Sequence, residues 1–374
     1  MENVCHTLAG LALARTGAGS TTPLATTALV VGANLPDIDL AWSSFHSALA
    51  YFHYHRGWTH SIAGLVVLTL LLWLALLAAD RWLLAGRTQD RARPSPLLLA
   101  AAIGVASHIL MDAANTYGIR PFLPWNDRWV YGDLWVIVDP WLWLILGGAV
   151  YLSRESGRRR NLVWLAGASA AAIVVLFAPL VPASCRVAWA AGLVVTIAIC
   201  RGAARGRPPA PRTAIAGVGL VVLYAGLCAA SHHVALARVA RMAAAVQAPT
   251  PRRLAALPHP ADPLRWEWII ADASSLRHGA VGTLPFFDPP AAPTTVLSRG
   301  LDLPAVQALM QSCAGEVIRE FFRFPFAAIE EQPNGGRVVV VRDARYTRKG
   351  RGFAVYAAPL GADGRPVIDR RECP

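Results

Sequence analysis

Apolar runs broken by short basic loops set the pattern of this chain. Two short runs come first, at roughly residues 7–14 and 23–33, divided by the turn-like Arg15-Thr16-Gly17-Ala18-Gly19-Ser20. A helix of about eleven residues rises roughly 16 Å, half of a hydrocarbon core about 30 Å thick. Neither run spans a membrane alone, so the pattern predicts a hairpin dipping into one leaflet, which returns His6 to the side of Asp37. Longer runs follow at about 62–79, 97–114, 134–152, 161–181 and 213–230, with a weaker one at about 184–200. The expected fold is mainly α. Residues 1–61 supply the hairpin and polar loops, and residues 62–230 a polytopic membrane bundle of about six spans.

From about residue 250 the pattern changes, and a Pro-rich stretch (Pro249, Pro251, Pro258, Pro260, Pro263) leads into less apolar sequence. Trp266 to Ile270 reads as a strand, and Val338–Val341 and Phe353–Tyr356 read as a hairpin around the basic Arg348-Lys349-Gly350-Arg351 turn. A helix over 303–321 is expected, with Asp302 as its N-cap and Pro304 in its first turn. Residues 250–374 are therefore expected to form a small soluble α+β domain, in which His278 is a surface histidine.

Only 16% of residues are charged and 55% are apolar, against about a quarter charged in soluble domains. This is the composition of a membrane protein. The formal charge of +12 is almost all arginine, Lys349 being the single lysine. Many arginines sit in three short loops: Arg81, Arg87, Arg91 and Arg93; Arg154, Arg158, Arg159 and Arg160; Arg201, Arg205, Arg207 and Arg212. That distribution marks cytoplasmic loops, not a basic face for nucleic acid. The spans beginning at Ile62 and near Leu97 then bring His55, His60, His108 and Asp112 to the outer side, and the C-terminal domain faces the same way. The six cysteines include no C-x-x-C pair. Cys313 and Cys373 can form a disulfide if their domain is extracytoplasmic. The N-terminus lacks the basic region of a cleavable signal peptide.

Three polar stations interrupt the apolar pattern: Asn34 to Asp39, His55 to Ser61, and Ser107 to Asp112. His108 and Asp112, four apart on a helix, project from one face and can bind one ion. Asp37 and Asp39 follow Pro36, which favours an extended approach in which both carboxylates point one way. One of them serves instead as a helix cap in the alternative reading. His60, at the head of a span, is the best ligand among the nearby histidines, whereas His46 and His53, beside Tyr51, Phe52 and Tyr54, suit headgroup depth. Arg56 suits a bidentate clamp on a phosphate or carboxylate, or an ion pair with one of the aspartates. Arg120, Asp133 and Asp139 add a second cation and two carboxylates, and Asp139 either serves a site or pairs with Arg120 or Arg128. Imidazole and oxygen ligands without thiolates suit Zn, Mn or Fe. Such ions make water acidic enough to act near neutral pH, which is the equipment of hydrolysis.

With these residues in view, the chain resembles the YdjM-like, LexA-regulated family of inner-membrane proteins. The resemblance rests on His6, Leu35-Pro36-Asp37-Ile38-Asp39, His55-Arg56-Gly57-Trp58-Thr59-His60-Ser61, Ser107-His108 with Asp112, and Tyr117-Gly118-Ile119-Arg120 through Asp133 to Asp139-Pro140. It implies a bacterial inner-membrane, metal-dependent hydrolase, and its motif pattern is similar to that of zinc-dependent phospholipase C enzymes. By that resemblance the metal positions are His6, Asp37, Asp39, His60, His108 and Asp112, holding one or two ions. The catalytic candidates are Asp39 or Asp133 as general base, with His55, and Arg56 and Arg120 as anion clamps. Trp58 stands where the family more often has Phe. The expected partners are membrane lipids and an amphiphilic, phosphate-bearing substrate, with no nucleic acid. The competing expectation is a non-enzymatic metal-binding or transport protein whose soluble domain recruits a partner.

Overall fold

The computed structural model describes residues 1–43, 47–83, 90–153, 158–203, 211–245, 253–284, 294–347 and 352–373. His46, Arg87, Arg154, Arg205, Arg207, Pro249, Pro251 and the 348–351 turn lie outside the described residues. The chain is mostly helical, with antiparallel sheets in its C-terminal part. It divides into two compact units. The first holds Met1–Pro36, Trp58–Ala230 and Pro258–Pro263, and the second holds Asp37–Gly57, Ser231–Leu257 and Leu264–Pro374.

In the first unit the two short apolar runs form α1 (Asn3–Arg15) and α2 (Ala25–Gly32). Glu2 opens α1 by accepting from the Cys5 amide, an N-cap that satisfies one orphan donor of the first turn. The long runs form α5 (Ile62–Ala78, continued by a wider turn to Leu83) and α6 (Pro94–Ala113), after two short helices of the second unit, α3 (Asp39–Ser43) and α4 (Ala48–Tyr54). Pro94 occupies the first turn of α6, where its missing N–H costs nothing. Small residues let backbones approach. A Cβ on Gly104 of α6 would lie 2.7 Å from the Leu29 carbonyl oxygen of α2. Leu29, Leu97, Ala100 and Ala101 are buried at this contact. Such close approach is how helices associate where lipid removes the hydrophobic drive between them.

Then come α7 (Pro140–Leu152), α8 (Arg158–Phe177), α9 (Ala183–Ala203) and α10 (Pro211–Ala245). Among the described residues three helices are long and apolar enough to cross a membrane: Ile62–Leu83, Pro94–Ala113 and Pro211–Ala244. Pro140–Leu152, Asn161–Phe177 and Ala183–Ile199 are apolar but shorter. The expected span over 134–152 starts late because Asp139 accepts from the Trp141 and Leu142 amides and caps a helix that Pro140 begins.

In the second unit, β1 (Arg253–His259), β2 (Asp262–Ala271), β3 (Ser275–Gly282) and β4 (Thr295–Ser298) form one sheet in sequence order. Trp266, Trp268 and Ile270 of β2 pack on Ala235, Val239 and Ala243 of α10. His278 lies half-buried on β3, opposite Ile269. The expected helix over 303–321 is two helices, α11 (Pro304–Met310) and α12 (Cys313–Phe321). Ser312 divides them, accepting from the Gly315 amide as N-cap of α12, and Leu303 takes the N-cap position expected of Asp302. A second sheet, β5 (Pro325–Glu331), β6 (Arg337–Asp343) and β7 (Val355–Pro359), contains the expected hairpin, with Val341 opposite Tyr356. Cys313 and Cys373 form a disulfide with Cα atoms 5.9 Å apart.

Candidate metal centre

His108 and Asp112, one turn apart on α6, are the base of a buried group in the first unit. His108 Nε2 lies 3.5 Å from Asp112 Oδ2. Helix α1 carries His6 so that its Nε2 stands 3.3 Å from Asp112 Oδ1, with its ring stacked on that of His108 at 3.7 Å between centroids. The tight turn Trp58–His60 supplies the third imidazole, His60 Nε2, 3.2 Å from Asp112 Oδ2 and 3.1 Å from His108 Nε2. That turn is held against α5, where Ser61 caps the helix by accepting from the Gly64 amide. A Cβ on Gly64 would overlap the Trp58 carbonyl, so only glycine lets the turn sit there.

All four side chains are fully buried. His108 Nδ1 lies 2.8 Å from the Ala33 carbonyl oxygen, which can only accept. The ring therefore carries its proton on Nδ1 and presents a lone pair at Nε2. His60 Nδ1 lies 2.9 Å from Thr59 Oγ1, a hydroxyl that can donate or accept. Lone pairs of imidazole and carboxylate this close repel unless a proton or a metal cation lies among them. A tetrahedral ion with bonds of about 2.0–2.1 Å sets neighbouring ligand atoms about 3.3 Å apart. The 3.1, 3.2 and 3.5 Å separations among His60, His108 and Asp112 Oδ2 scatter around that edge length, while His6 meets the other Asp112 oxygen at 3.3 Å. His60, His108 and Asp112 belong to a buried set of side chains that could hold a metal ion. The Met1 amino group also lies against Asp112 Oδ1, so this carboxylate has a cationic neighbour of its own.

The second unit contains another set, Asp37, Asp39 and His55, whose ligand atoms lie within 4.8 Å of one another. The expected extended approach is not found. Leu35–Ile38 is a helical turn leading into α3, because Pro36 sits in a first turn, where proline is tolerated. His55 ends α4 and places Nδ1 3.0 Å from Asp39 Oδ1. The Arg56 amide donates to Asp39 Oδ2 at 2.9 Å. With both oxygens thus engaged, Asp39 orients the ring of His55, as in carboxylate–histidine–metal arrangements. Arg56 is buried and has a left-handed φ of +59°.

Arg120 and Asp133 lie in the 114–135 loop, both buried. The Arg120 guanidinium stands over the Trp129 ring at 5.2 Å, and burial pushes its pKa below the ordinary arginine value. Asp133, at a left-handed φ of +50°, belongs to neither ligand set. Asp139 accepts from Tyr224 Oη at 2.9 Å besides capping α7, so its polar partners are structural and include neither Arg120 nor Arg128. His53 contacts Glu320 at 2.9 Å, and Phe52 is buried among phenylalanines of the second unit. The Ala33 carbonyl and Thr59 were not among the expected site residues. A backbone carbonyl leaves no trace in sequence, though Thr59 could have been suspected as the neighbour of His60.

Residues 1–183 match the model described as YdjM inner membrane protein, which is the family the N-terminal motifs resemble. A curated relative, an uncharacterized protein YfhP of Bacillus subtilis (strain 168), is 29% identical over 117 residues, covering 31% of this chain and 33% of that protein. The match thus spans about a third of either chain. No solved structure matches.

Proposed function

Because residues 1–183 match an inner membrane protein family, we propose that the chain is a membrane-embedded, metal-dependent hydrolase working at the outer face. The observation that carries this reading is the buried convergence of three imidazole nitrogens on the Asp112 carboxylate at ligand-edge spacing. A bound divalent ion polarises a phosphoryl or acyl oxygen and makes water acidic. The donor set suits zinc, with manganese or iron as alternatives.

In this reading His6, His60, His108 and Asp112 hold one ion. Asp37 and His55, the latter oriented by Asp39, hold a second. Arg56 and Arg120 bind the substrate anion, and Asp133 accepts a proton. The apolar helices favour a phosphate ester carried on a lipid-like amphiphile. The arginine-rich loops of the sequence, under the positive-inside rule, favour an extracytoplasmic C-terminal domain, and so does the disulfide.

One observation favours a second reading. The four-residue group is wholly enclosed, as structural metal sites are, whereas catalytic sites keep an open position. A metal-binding or transport protein without turnover would have this character. The two are separated by full-length protein in detergent, assayed for bound metal and for hydrolysis of a phosphodiester and of phospholipid. The hydrolase reading predicts both metal and turnover, with turnover and at least one bound ion lost in His108→Ala. Bound metal with no turnover of either substrate overturns it in favour of the second.

A further inference from the structure

The segment that carries Asp39 and His55 is gripped by the C-terminal domain. Helix α4 ends at Tyr54, and its next residue is His55. One turn back, Phe52 is buried with its ring stacked on Phe321 of α12, 4.9 Å between centroids and 8° from parallel. It meets Phe322 and Phe353 edge-on, each at 5.6 Å. The adjacent His53 contacts Glu320 of the same helix at 2.9 Å.

At its other end, Ser47 caps α4 and donates from Oγ to the Glu372 carbonyl oxygen at 2.6 Å. Glu372 precedes Cys373, which is bonded to Cys313, the first residue of α12. Both holds on α4, the phenylalanine socket and the tail, are thus tied to each other through one disulfide. All these residues belong to the second unit. The holding residues of the domain lie beyond residues 1–183, the part that the family model matches.

We propose that the C-terminal domain is the positioning scaffold of the Asp39–His55 pair, that Phe52 is the plug through which it acts, and that the Cys313–Cys373 bond closes the grip. Phe52 touches no ligand atom in this role; it fixes where α4 ends, and so where His55 Nδ1 and the Arg56 amide meet Asp39. Metal affinity is sensitive to such support, and loss of an orienting partner weakens it about 10- to 100-fold. The metal arm of this inference rests on the function proposed above, and the backbone arm does not.

The test uses full-length protein in detergent and two readouts: amide hydrogen exchange at His55 and Arg56, and Zn²⁺ affinity measured in a His108→Ala background so that the second set is read alone. Phe52→Ala is expected to speed exchange at both amides and to weaken Zn²⁺ about 10-fold or more. Phe52→Leu, which refills the socket, is expected to restore most of both. The double variant Cys313→Ala/Cys373→Ala should repeat the Phe52→Ala result, and it carries the test if Phe52→Ala does not fold. A folded Phe52→Ala or double-cysteine variant with wild-type exchange at His55 and Arg56 overturns the proposal. If the His108→Ala background binds no Zn²⁺, the second ion is lost from the proposed function, and the exchange data alone still decide for or against the scaffold.

Discussion

His108 and Asp112 were legible because a helical spacing of four puts both on one face, and an apolar run gives polar side chains few other uses. His6 was weaker in sequence, since a polar residue before an apolar helix is ordinary; its 3.3 Å approach to Asp112 depends on how α1 folds back on α6. The Ala33 carbonyl that sets the tautomer of His108 could not be read at all. Gly64 is the residue on which the place of His60 turns, because a Cβ there meets the Trp58 backbone, which cannot yield as a flexible side chain would. Gly64→Ala is expected to destabilise the protein by about 1–3 kcal/mol and, by pushing the Trp58–His60 turn away, to lower metal content. Thermal unfolding and elemental analysis of the same sample check both parts, and unchanged metal content would separate the turn from the site.

At the scale of elements, period and punctuation predicted α1, α2, α5 and α6 well, because their apolar runs and turn residues agree; the expected β6–β7 pairing is present, with its second strand at Val355–Pro359 and not Phe353–Tyr356. Three expectations failed where local chemistry overrode the run. Pro36 opens a helical turn at residues 35–38. Ser312 cuts the 303–321 run in two by capping α12. Asp139 starts α7 five residues into its apolar run. Asp139 was singled out as an intramembrane carboxylate, yet its hydrogen bonds are those of a cap and of Tyr224. Asp139→Ala is accordingly expected to cost about 1 kcal/mol of stability and to leave metal content and turnover per folded molecule unchanged. Loss of metal in the folded variant would return Asp139 to the site.

At the scale of the molecule, a membrane protein was readable from composition, and the inner-membrane family whose model matches residues 1–183 from a handful of polar stations. Within the aromatic segment 51–54, Phe52 shows that a ring that suits a headgroup layer also suits a protein core, since it is buried among Phe321, Phe322 and Phe353. Disulfides persist in oxidising compartments, so a Cys313–Cys373 bond and the arginine loops both point to the extracytoplasmic side proposed for the domain. A reporter active only outside the cytoplasm, fused at the C-terminus, should therefore be active, and alkylation of intact cells followed by non-reducing electrophoresis should find the two cysteines bonded. A reporter active only in the cytoplasm would reverse the orientation.

The metal content of the full-length protein, purified without chelators and compared with His108→Ala, tests the central claim most directly. One or two divalent ions per wild-type chain, with at least one lost in the variant, is the predicted result. Folded wild-type protein carrying no metal, and taking up none from added Zn²⁺, would contradict it.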